Sequence, residues 1–255
     1  LCGMSLSVIV PVYNEAATIR EVIRRVAAVG IAQEIIVVDD GSTDGTRETL
    51  HRLLRENGKA FPSASGSPCE LRVAWHERNR GKGAAVRTGF QAARGDIVVI
   101  QDADLEYDPQ DFHALIEPIE RGEADAVLGS RFLLQGPRFF VRGGMPFFSH
   151  YVGNKVIIWL TNRLYGFRAT DYEGCYKAFK RQLVLSTPVI ADGFEFDNEL
   201  ICKLLRRHAR IAEVPIRYAP RVYREGKKIR WYHGVRMVWT ILRWRVLPFD
   251  RSTRA

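Results

Sequence analysis

The first half of the chain alternates between short apolar runs and segments whose apolar residues recur at helical spacing. The runs are rich in Val, Ile and Leu, which is typical of strands buried on both faces of a sheet. Five strands are predicted, at residues 6–10, 34–38, 71–75, 96–100 and 124–128. The helical spacing is clearest at Ile19, Val22, Ile23 and Val26. Further helices are predicted over residues 46–54, 84–93 and 109–120.

Strands that alternate with helices predict an α/β fold of the Rossmann-like type, with a mostly parallel central sheet flanked by helices. Residues 57–70 are rich in Gly, Pro and Ser and interrupt the alternation, so a surface excursion is expected there. After residue 139 the pattern changes to mixed aromatic, Gly and Arg residues, followed by a predicted apolar helix over 152–165.

A C-terminal amphipathic helix is predicted over residues 231–247. One face carries Val235, Val238, Trp239, Leu242 and Val246, and another carries Arg236, Thr240 and Arg243. Aromatic and aliphatic residues beside arginine suit a membrane interface. A helix packed on the sheet with its arginines reaching solvent explains the same pattern equally well.

Charge is distributed unevenly along the 255 residues. Residues 203–255 contain fifteen Lys or Arg and three Asp or Glu, a formal charge of +12, so residues 1–202 carry −3 of the total +9. Such a basic region indicates an anionic partner or a solvated basic face. The apolar runs are far shorter than the ~20 residues that span a bilayer, and no secretory signal is visible, so a cytoplasmic location is expected.

The stretch VIQDADLEYDP, residues 99–109, contains the most specific candidate chemistry. Asp102, Asp104, Glu106 and Asp108 directly follow a predicted buried strand. The acids form either a solvated turn or a site for a hard cation. In parallel α/β sheets, ligands bind beyond the carboxyl ends of the strands, and this location favours a site.

Three other polar stretches lie near predicted strand ends. Pro11-Val12-Tyr13-Asn14-Glu15 follows the first strand, and Asp39-Asp40-Gly41-Ser42 follows the second. Asn79-Arg80-Gly81-Lys82-Gly83 precedes a helix and is basic and flexible, which suits an anion, although it lacks the spacing of a Walker loop. Each stretch alone is compatible with an ordinary turn.

Together these stretches indicate a single ligand. Tyr13 could stack on a nucleobase while the Asp40 carboxylate accepts hydrogen bonds from it. Asp102 and Asp104 offer the oxygen ligands that Mg²⁺ or Mn²⁺ prefers, and such an ion would bridge a diphosphate. The combination predicts a pocket for a nucleotide-diphosphate sugar.

On the strength of these polar stretches, residues 1–130 resemble a family 2 glycosyltransferase with the GT-A fold. The hallmark of that fold is an Asp-x-Asp metal motif. Three later stretches resemble the dolichyl- and polyprenyl-phosphate hexose synthases, so the resemblance covers most of the chain. These stretches are Gly129-Ser130-Arg131-Phe132, Thr170-Asp171-Tyr172-Glu173-Gly174-Cys175-Tyr176-Lys177 and Arg221-Val222-Tyr223-Arg224-Glu225-Gly226-Lys227-Lys228.

The resemblance implies a role for specific residues. The nucleotide sugar would contact Pro11, Tyr13, Glu15, Asp40, Lys82, Asp102 and Ala103. The divalent metal, Mg²⁺ or Mn²⁺, would be bound by Asp102, Asp104 and Glu106, where relatives often place Gln at the third position. The acceptor phosphate would be held by Arg131, Arg221, Lys227 and Lys228. The residues directly involved in catalysis would be Asp104, Arg131 and Asp171.

The resemblance also implies a division of the chain. Residues 1–220 would form the GT-A catalytic domain, with a nucleotide-sugar half at 1–130 and an acceptor half at 131–220. Residues 221–255 would form a basic acceptor-phosphate loop and the amphipathic C-terminal helix. Many relatives carry membrane-spanning helices after the catalytic domain, whereas here the membrane contact is expected to be peripheral, at the inner face of the cell membrane.

Three functions are compatible with the sequence. The first is an inverting transfer of mannose or glucose from a GDP- or UDP-sugar to a polyprenyl phosphate. The second uses a soluble or glycan hydroxyl as acceptor and needs a carboxylate base, for which Asp171 and Glu173 are candidates. The third is a non-enzymatic basic module for membranes or nucleic acids. The Asp102–Asp104 pair and the charge of residues 1–202 argue against it, and no nucleic acid partner is expected. The sequence leaves the sugar, the nucleotide and the oligomeric state open.

Overall fold

The structure is a computed structural model that describes residues 3–58, 60–61, 66, 68–133, 148–219 and 231–248. Its strands are β1 (Leu6–Val12), β2 (Ala32–Asp39), β3 (Ala60–Phe61), β4 (Cys69–Trp75), β5 (Ile97–Ile100), β6 (Ala126–Ser130), β7 (Lys177–Lys180) and β8 (Ile211–Pro215). Its helices are α1 (Ile19–Val29), α2 (Thr46–Asn57), α3 (Lys82–Ala92), α4 (Phe112–Glu120), α5 (Phe148–Tyr165), α6 (Arg181–Leu185), α7 (Phe196–Arg206) and α8 (Trp231–Val246).

The eight strands form one sheet in the order β3-β4-β2-β1-β5-β7-β6-β8. β1 is parallel to β2 and β5, β2 is parallel to β4, and β6 is parallel to β8. The predicted mostly parallel sheet is therefore confirmed. Its central strands β1, β2 and β5 are almost completely buried, as their apolar runs predicted, because helices cover both faces.

The position of β7 decides which strand ends meet. β7 is antiparallel to both β5 and β6, so β5 and β6 run in the same direction. The carboxyl ends of β1, β2, β5 and β6 therefore lie along one edge of the sheet. This edge is where ligands bind in parallel α/β sheets.

Helix α1 has the predicted apolar face, with Ile19, Val22, Ile23 and Val26 fully buried. Three other predictions need correction. The excursion expected over 57–70 contains β3, which pairs antiparallel with β4, and β4 itself begins at Cys69. The helix predicted over 109–120 begins as a short 3₁₀ helix (Pro109–Asp111), in which Asp108 accepts a hydrogen bond from the Gln110 amide. β7 and β8 were not predicted.

Helix α8 packs on α5 and α7 rather than on the sheet. Its buried apolar residues are Met237, Ile241 and Trp244, which join Ile157 of α5 and Cys202 of α7 in a second apolar cluster. Thr240, predicted on the arginine face, is buried as well. Most of the apolar face predicted from the sequence points outward instead, since Val235, Trp239, Leu242 and Val246 are exposed. In the part of the chain that the structure describes, every helix is too short or too polar to cross a bilayer.

Candidate active site

Four of the predicted side chains lie at the common edge of the sheet. Tyr13 follows β1, Asp40 follows β2, Asp102 follows β5 and Arg131 follows β6. Backbone hydrogen bonds extend the sheet into these turns, since the Asp40 amide donates to the Val12 carbonyl (2.8 Å) and the Gln101 amide donates to the Ile9 carbonyl (2.9 Å). The fold thus brings together residues spread over more than 110 positions.

The turns that follow β1 and β2 are fastened to each other. Asn14 adopts a positive φ of 53°, and its Oδ1 accepts a hydrogen bond from the Thr43 amide (2.8 Å). The Glu15 amide donates to Thr46 Oγ1 (2.9 Å). Tyr13 and Glu15 are partly exposed, and Pro11 lies inside β1 opposite Val38. Nucleoside contacts at these three residues stay a prediction.

Asp40 is buried and orients the turn that leads into α3. Its carboxylate accepts hydrogen bonds from the amides of Arg80 (2.9 Å) and Gly81 (2.8 Å). The Nδ1 atom of His76 lies 2.6 Å from Asp40 Oδ1. A carboxylate has about four acceptor positions, so contacts within the protein occupy most of them. Asp40 therefore positions a loop, and its predicted contact with a nucleobase would use the remaining position.

The glycines at positions 81 and 83 are required by close packing rather than by flexibility. Gly81 has a φ of +100°, and a Cβ there would collide with the carbonyl oxygen of Asp192. A Cβ on Gly83 would lie 2.5 Å from the carbonyl oxygen of Ala191. The flexible loop expected from the sequence is instead a turn held against residues 191 and 192.

Lys82, the first residue of α3, contacts the Asp-x-Asp stretch. Its Nζ atom lies 2.7 Å from Asp102 Oδ1, and both side chains are about one-fifth exposed. Burial alone lowers the pKa of Lys82, but the negative charge of Asp102 outweighs it and raises that pKa well above its ordinary value. Burial likewise raises the pKa of Asp102, while the Lys82 charge lowers it, with a net lowering. A cation is thus already stabilised at Asp102.

Asp104 and Glu106 have different surroundings. Asp104 Oδ1 accepts a hydrogen bond from the Glu106 amide (3.1 Å) across Leu105, which has a positive φ of 62°. Burial and the nearby negative charge of Glu106 raise the pKa of Tyr218, and the Glu106 carbonyl accepts a hydrogen bond from the Ala219 amide (2.8 Å). Metal coordination by Glu106 stays a prediction.

Asp102 and Asp104 fit a divalent cation that is shared with a substrate. Among the described residues, no three His, Cys, Asp or Glu side chains group together as candidate metal ligands. Mg²⁺ typically takes one or two carboxylates, substrate phosphate oxygens and water, and an Asp pair supplies the protein part of such a set. The Lys82 ammonium at Asp102 is consistent with a position that attracts positive charge.

Arg131 and Asp171 form a buried bidentate ion pair. Arg131 Nε donates to Asp171 Oδ2 (2.7 Å), and Nη2 donates to Oδ1 (2.9 Å). The Arg131 side chain is 18% exposed and the Asp171 side chain is not exposed at all. Burial raises the pKa of Asp171, but the charge of Arg131 outweighs it and lowers that pKa. Asp171 therefore stays ionised and is a poor proton acceptor.

The sequence reasoning did not identify Glu213, which holds the Asp171 loop in place. The Glu213 carboxylate accepts hydrogen bonds from the amides of Thr170 (2.8 Å) and Asp171 (2.9 Å), and from Thr170 Oγ1 (2.9 Å). Ser130 Oγ lies 2.6 Å from Thr170 Oγ1. The pairing of β8 with β6 brings Glu213 here, and no local sequence signal announces it.

A second group of buried polar residues contains Glu173, which the sequence offers as a candidate base, and Lys177, whose burial was not predicted. The pKa of Glu173 is raised by burial, although its carboxylate accepts a hydrogen bond from Asn198 Nδ2 (2.8 Å). Lys177 is 1% exposed, donates to the Gly174 carbonyl and lies 3.3 Å from Asp197 Oδ1. Lys177 stands within the apolar stretch Tyr176–Phe179, which is the local signal for its burial, and lysine is rarely buried without a partner.

Ala103 is buried between the two aspartates of the motif. The three remaining acceptor-phosphate candidates, Arg221, Lys227 and Lys228, lie outside the described residues.

Comparison with known proteins identifies the family. A model of the family described as glycosyl transferase family 2 matches residues 7–185. The glycosyltransferase AglD of Haloferax volcanii is 30% identical over 231 residues, covering 86% of this chain and 34% of that protein. The dolichol-phosphate mannosyltransferase of Pyrococcus furiosus is 29% identical over 252 residues, covering 94% of this chain and 64% of that protein. The chain thus spans less than two-thirds of the length of these two relatives.

Solved structures show the same fold. The glucosyl-3-phosphoglycerate synthase of Mycobacterium tuberculosis, in complex with Mn²⁺, UDP and phosphoglyceric acid, superposes with a TM-score of 0.67 at 25% identity, covering 97% of this chain and 81% of that one. The same enzyme with Mg²⁺ and UDP gives 0.67 at 25% identity, covering 97% and 82%. The predicted α/β fold of GT-A type is confirmed, and this chain belongs to glycosyl transferase family 2.

Proposed function

We propose that the protein transfers a hexose, mannose or glucose, from a GDP- or UDP-sugar to a polyprenyl phosphate, with inversion at the anomeric carbon. One observation carries the proposal. The Asp102–Asp104 stretch and the Arg131 guanidinium lie at the ends of β5 and β6, on the same edge of the sheet. A donor diphosphate and an anionic acceptor could therefore be bound side by side.

The donor occupies the β1–β2–α3 side of this edge. Tyr13, Glu15 and Pro11 contact the nucleoside, with Asp40 behind them, and Lys82 approaches the diphosphate from the start of α3. Asp102 and Asp104 would hold Mg²⁺ or Mn²⁺, and such an ion would supply positive charge against the departing nucleoside diphosphate. Ala103 is the buried spacer that fixes the separation of the two aspartates.

The chemistry requires no strong base on the protein. A phosphate monoester oxygen is already anionic at neutral pH, so it attacks the anomeric carbon directly. The bond from that carbon to the diphosphate oxygen breaks, and the nucleoside diphosphate leaves with the electron pair. Arg131 offsets the incoming phosphate with the N–H groups that Asp171 does not use, while Asp171 holds the guanidinium in one orientation.

An exposed apolar surface supports a lipid acceptor. Val152, Val156 and Trp159 line one side of α5 and are 42%, 47% and 65% exposed. Val235, Trp239, Leu242 and Val246 line one side of α8 and are 60%, 64%, 41% and 80% exposed. The two helices pack against each other. We refer to these seven residues as the α5–α8 apolar surface.

The occupant that this surface fits is an anionic membrane. Arg236, Arg243 and Arg245 are exposed on α8 beside the apolar residues. Tryptophan and arginine at one helix surface suit the boundary between headgroups and acyl chains. The protein would bind peripherally at the cytoplasmic face, which would bring the polyprenyl phosphate to Arg131. Arg221, Lys227 and Lys228 remain predicted ligands of the same phosphate.

The relatives support this choice of acceptor. Besides the P. furiosus mannosyltransferase, a dodecaprenyl-phosphate galacturonate synthase of Rhizobium johnstonii is 27% identical over 202 residues, covering 76% of this chain and 53% of that protein. Both names specify transfer to a lipid phosphate.

A labelled-sugar transfer assay tests the proposal. The protein is incubated with GDP-mannose, GDP-glucose or UDP-glucose, with Mg²⁺ or Mn²⁺, and with vesicles containing a polyprenyl phosphate. Organic-extractable label that requires both the lipid phosphate and the metal is the expected result. Activity towards a polyprenol lacking the phosphate would contradict the proposed acceptor chemistry. Absence of transfer from every donor would contradict the proposal as a whole.

A hydroxyl acceptor is the second candidate. Burial raises the pKa of Glu173, which is the property that a general base for a hydroxyl needs, whereas Asp171 is held ionised by Arg131. The structural neighbour from M. tuberculosis binds phosphoglyceric acid. The same assay with phosphoglyceric acid or a glycan in place of the lipid distinguishes the two, because this route gives a water-soluble product.

A further inference from the structure

The start of α3 is covered by residues 188–193, the segment between α6 and α7. The Gly83 and Ala84 amides donate to the Asp192 carbonyl, at 2.7 and 3.3 Å. The first amides of a helix have no partner within the helix, so any protection of these two comes from this carbonyl. The Arg87 guanidinium also pairs with the Asp192 carboxylate. The position of Lys82, at the start of α3, therefore depends on the position of residues 188–193.

The segment is held by one buried carboxylate. Glu199 of α7 is 1% exposed, and its two oxygens accept hydrogen bonds from the amides of Ile190 (3.0 Å) and Ala191 (2.8 Å). Two donors on one carboxylate fix both the position and the orientation of the peptide units directly before Asp192.

Glu199 in turn depends on Lys203, one helical turn further along α7. Lys203 is 1% exposed, and its Nζ lies 2.5 Å from Glu199 Oε1 and 2.6 Å from the Pro188 carbonyl oxygen. The Trp244 ring of α8 lies over the ammonium, with 3.6 Å from Nζ to the ring centroid. A buried ion pair is a costly way to stabilise a helix, because apolar residues of similar volume usually do so equally well.

From these contacts we infer that Glu199 and Lys203 are a positioning pair for the donor site. The pair fixes residues 188–193, which cover the start of α3 and thereby set where Lys82 stands relative to Asp102. Neither residue touches the donor in this arrangement. The inference rests on the proposed donor site, since the purpose of a fixed Lys82 is to meet a nucleoside diphosphate.

The test compares single and double variants. Lys203→Met alone leaves Glu199 buried without its counter-charge, so its melting temperature is expected to fall. Glu199→Gln/Lys203→Met removes both charges together, and we expect most of the thermal stability to return. The glutamine amide keeps one acceptor oxygen and turns its NH2 group towards the other backbone amide, so one of the two hydrogen bonds to residues 190 and 191 stays lost in the double variant. The control is Asp125→Asn/Lys180→Met, which removes a partly exposed ion pair (2.7 Å) at the opposite edge of the sheet, where Asp125 also pairs with Arg210 (2.9 Å).

Two measurements on the double variant decide the inference. Hydrogen exchange at the Gly83 and Ala84 amides is expected to accelerate about tenfold or more, and UDP or GDP binding with Mn²⁺ to weaken by a similar factor, the size of one lost charge-assisted hydrogen bond. The control should match the wild-type protein in both. Wild-type exchange at those amides in a stable double variant would overturn the inference. If the wild-type protein binds neither nucleotide, the proposed function fails, while the exchange result still decides whether the pair positions the turn.

Discussion

Asp104 offers the sharpest test at the scale of single residues, because the chain contains a matched control for it. Asp104 accepts a hydrogen bond from the amide two residues ahead (3.1 Å), and Asp108 makes the same contact with the Gln110 amide (3.0 Å). Asp104→Ala should reduce transfer more than about 100-fold, since charge stabilisation by the metal contributes several kcal/mol. The measurement is the initial rate of transfer with saturating Mn²⁺.

Asp108→Ala removes the same local hydrogen bond, together with an exposed ion pair to Arg217 (2.9 Å) that contributes about 0–1 kcal/mol, and should keep most of the activity. Both variants should unfold within a few degrees of the wild-type protein, because each loses about 1 kcal/mol of local hydrogen bonding. Equal activity of the two variants would contradict the assignment of Asp104 to the metal.

Arg131→Lys tests the acceptor side of the site. A lysine keeps the charge but cannot donate two parallel hydrogen bonds to Asp171, and it offers fewer donors to a phosphate. We expect the KM for polyprenyl phosphate to rise about tenfold or more, with the KM for the nucleotide sugar nearly unchanged. Steady-state kinetics with each substrate varied in turn gives both values. A rise in the KM for the nucleotide sugar alone would show that Arg131 binds the donor rather than the acceptor.

The positions of residues that directly follow a buried strand were predicted well. Asp102 and Asp104 are two positions apart after an apolar run, and the structure places them at a strand end as expected. Arg131 and Asp171 are 40 positions apart, and their mutual pairing follows from how β6 and the 170–177 stretch meet. Glu213 needs the β6–β8 register as well. Such contacts carry no local pattern, so they could not be predicted from one sequence.

At the scale of elements, Glu34 of β2 connects the central strands to the end of α3. It is 4% exposed, and its carboxylate accepts hydrogen bonds from Ser7 of β1 (2.6 Å), Arg72 of β4 (3.0 Å) and the Arg94 amide (2.6 Å). Burial raises the pKa of Glu34, but these hydrogen bonds outweigh it and lower that pKa below its ordinary value.

The lowered pKa gives this connection a pH dependence. The unfolded chain titrates Glu near pH ~4.3, so the contribution of Glu34 is complete above that pH and is lost as the pH falls through the lower pKa of the folded state. Glu34→Gln should lower the free energy of unfolding by about 1–3 kcal/mol at pH 7. Denaturant unfolding from pH 7 down to pH 3 should show the gap between variant and wild type closing below pH ~4.

Glu56→Gln is the control, because Glu56 pairs with Arg20 (2.6 Å) where both side chains are about half exposed. Exposed pairs contribute about 0–1 kcal/mol, so this variant should follow the wild-type curve. A gap for Glu34→Gln that stays constant down to pH 3 would contradict the ionised state assigned to Glu34.

The elements themselves could be predicted where burial is uniform. β1, β2 and β5 are apolar on both faces, and the sequence located each within two residues at either end. β7 was missed because it is a four-residue strand, KAFK, with a lysine at each end. β8 was missed because its residues are only partly buried and lack a clear alternation. Without β7 the direction of β6 relative to β5 could not be derived.

At the scale of the whole molecule, α8 explains why one sequence pattern supported two hypotheses. Met237, Ile241 and Trp244 recur at helical spacing and are buried, while Val235, Trp239, Leu242 and Val246 recur at the same spacing and are exposed. The helix has two apolar faces separated by arginines. The sequence displays both, but only the packing on α5 and α7 tells which face remains outside.

The exposed face makes a prediction about the behaviour of the whole molecule. Trp159 and Trp239 are each about two-thirds exposed, and burying such side chains in a bilayer interface is favourable by about 1.5–3 kcal/mol each. Trp159→Ala/Trp239→Ala should therefore weaken binding to phosphatidylglycerol vesicles at least tenfold in a sedimentation assay, while Leu185→Ala, at an exposed leucine on α6, should not.

Raising the salt concentration should weaken wild-type binding, because the arginines of α8 contribute about 1 kcal/mol each near an anionic surface. Equal binding to neutral vesicles would remove the electrostatic part of the proposal. A different result would show that a second copy covers the α5–α8 apolar surface instead. In that case the wild-type protein would stay in the supernatant as a dimer, and its tryptophan fluorescence would be that of a buried indole, which the double variant lacks.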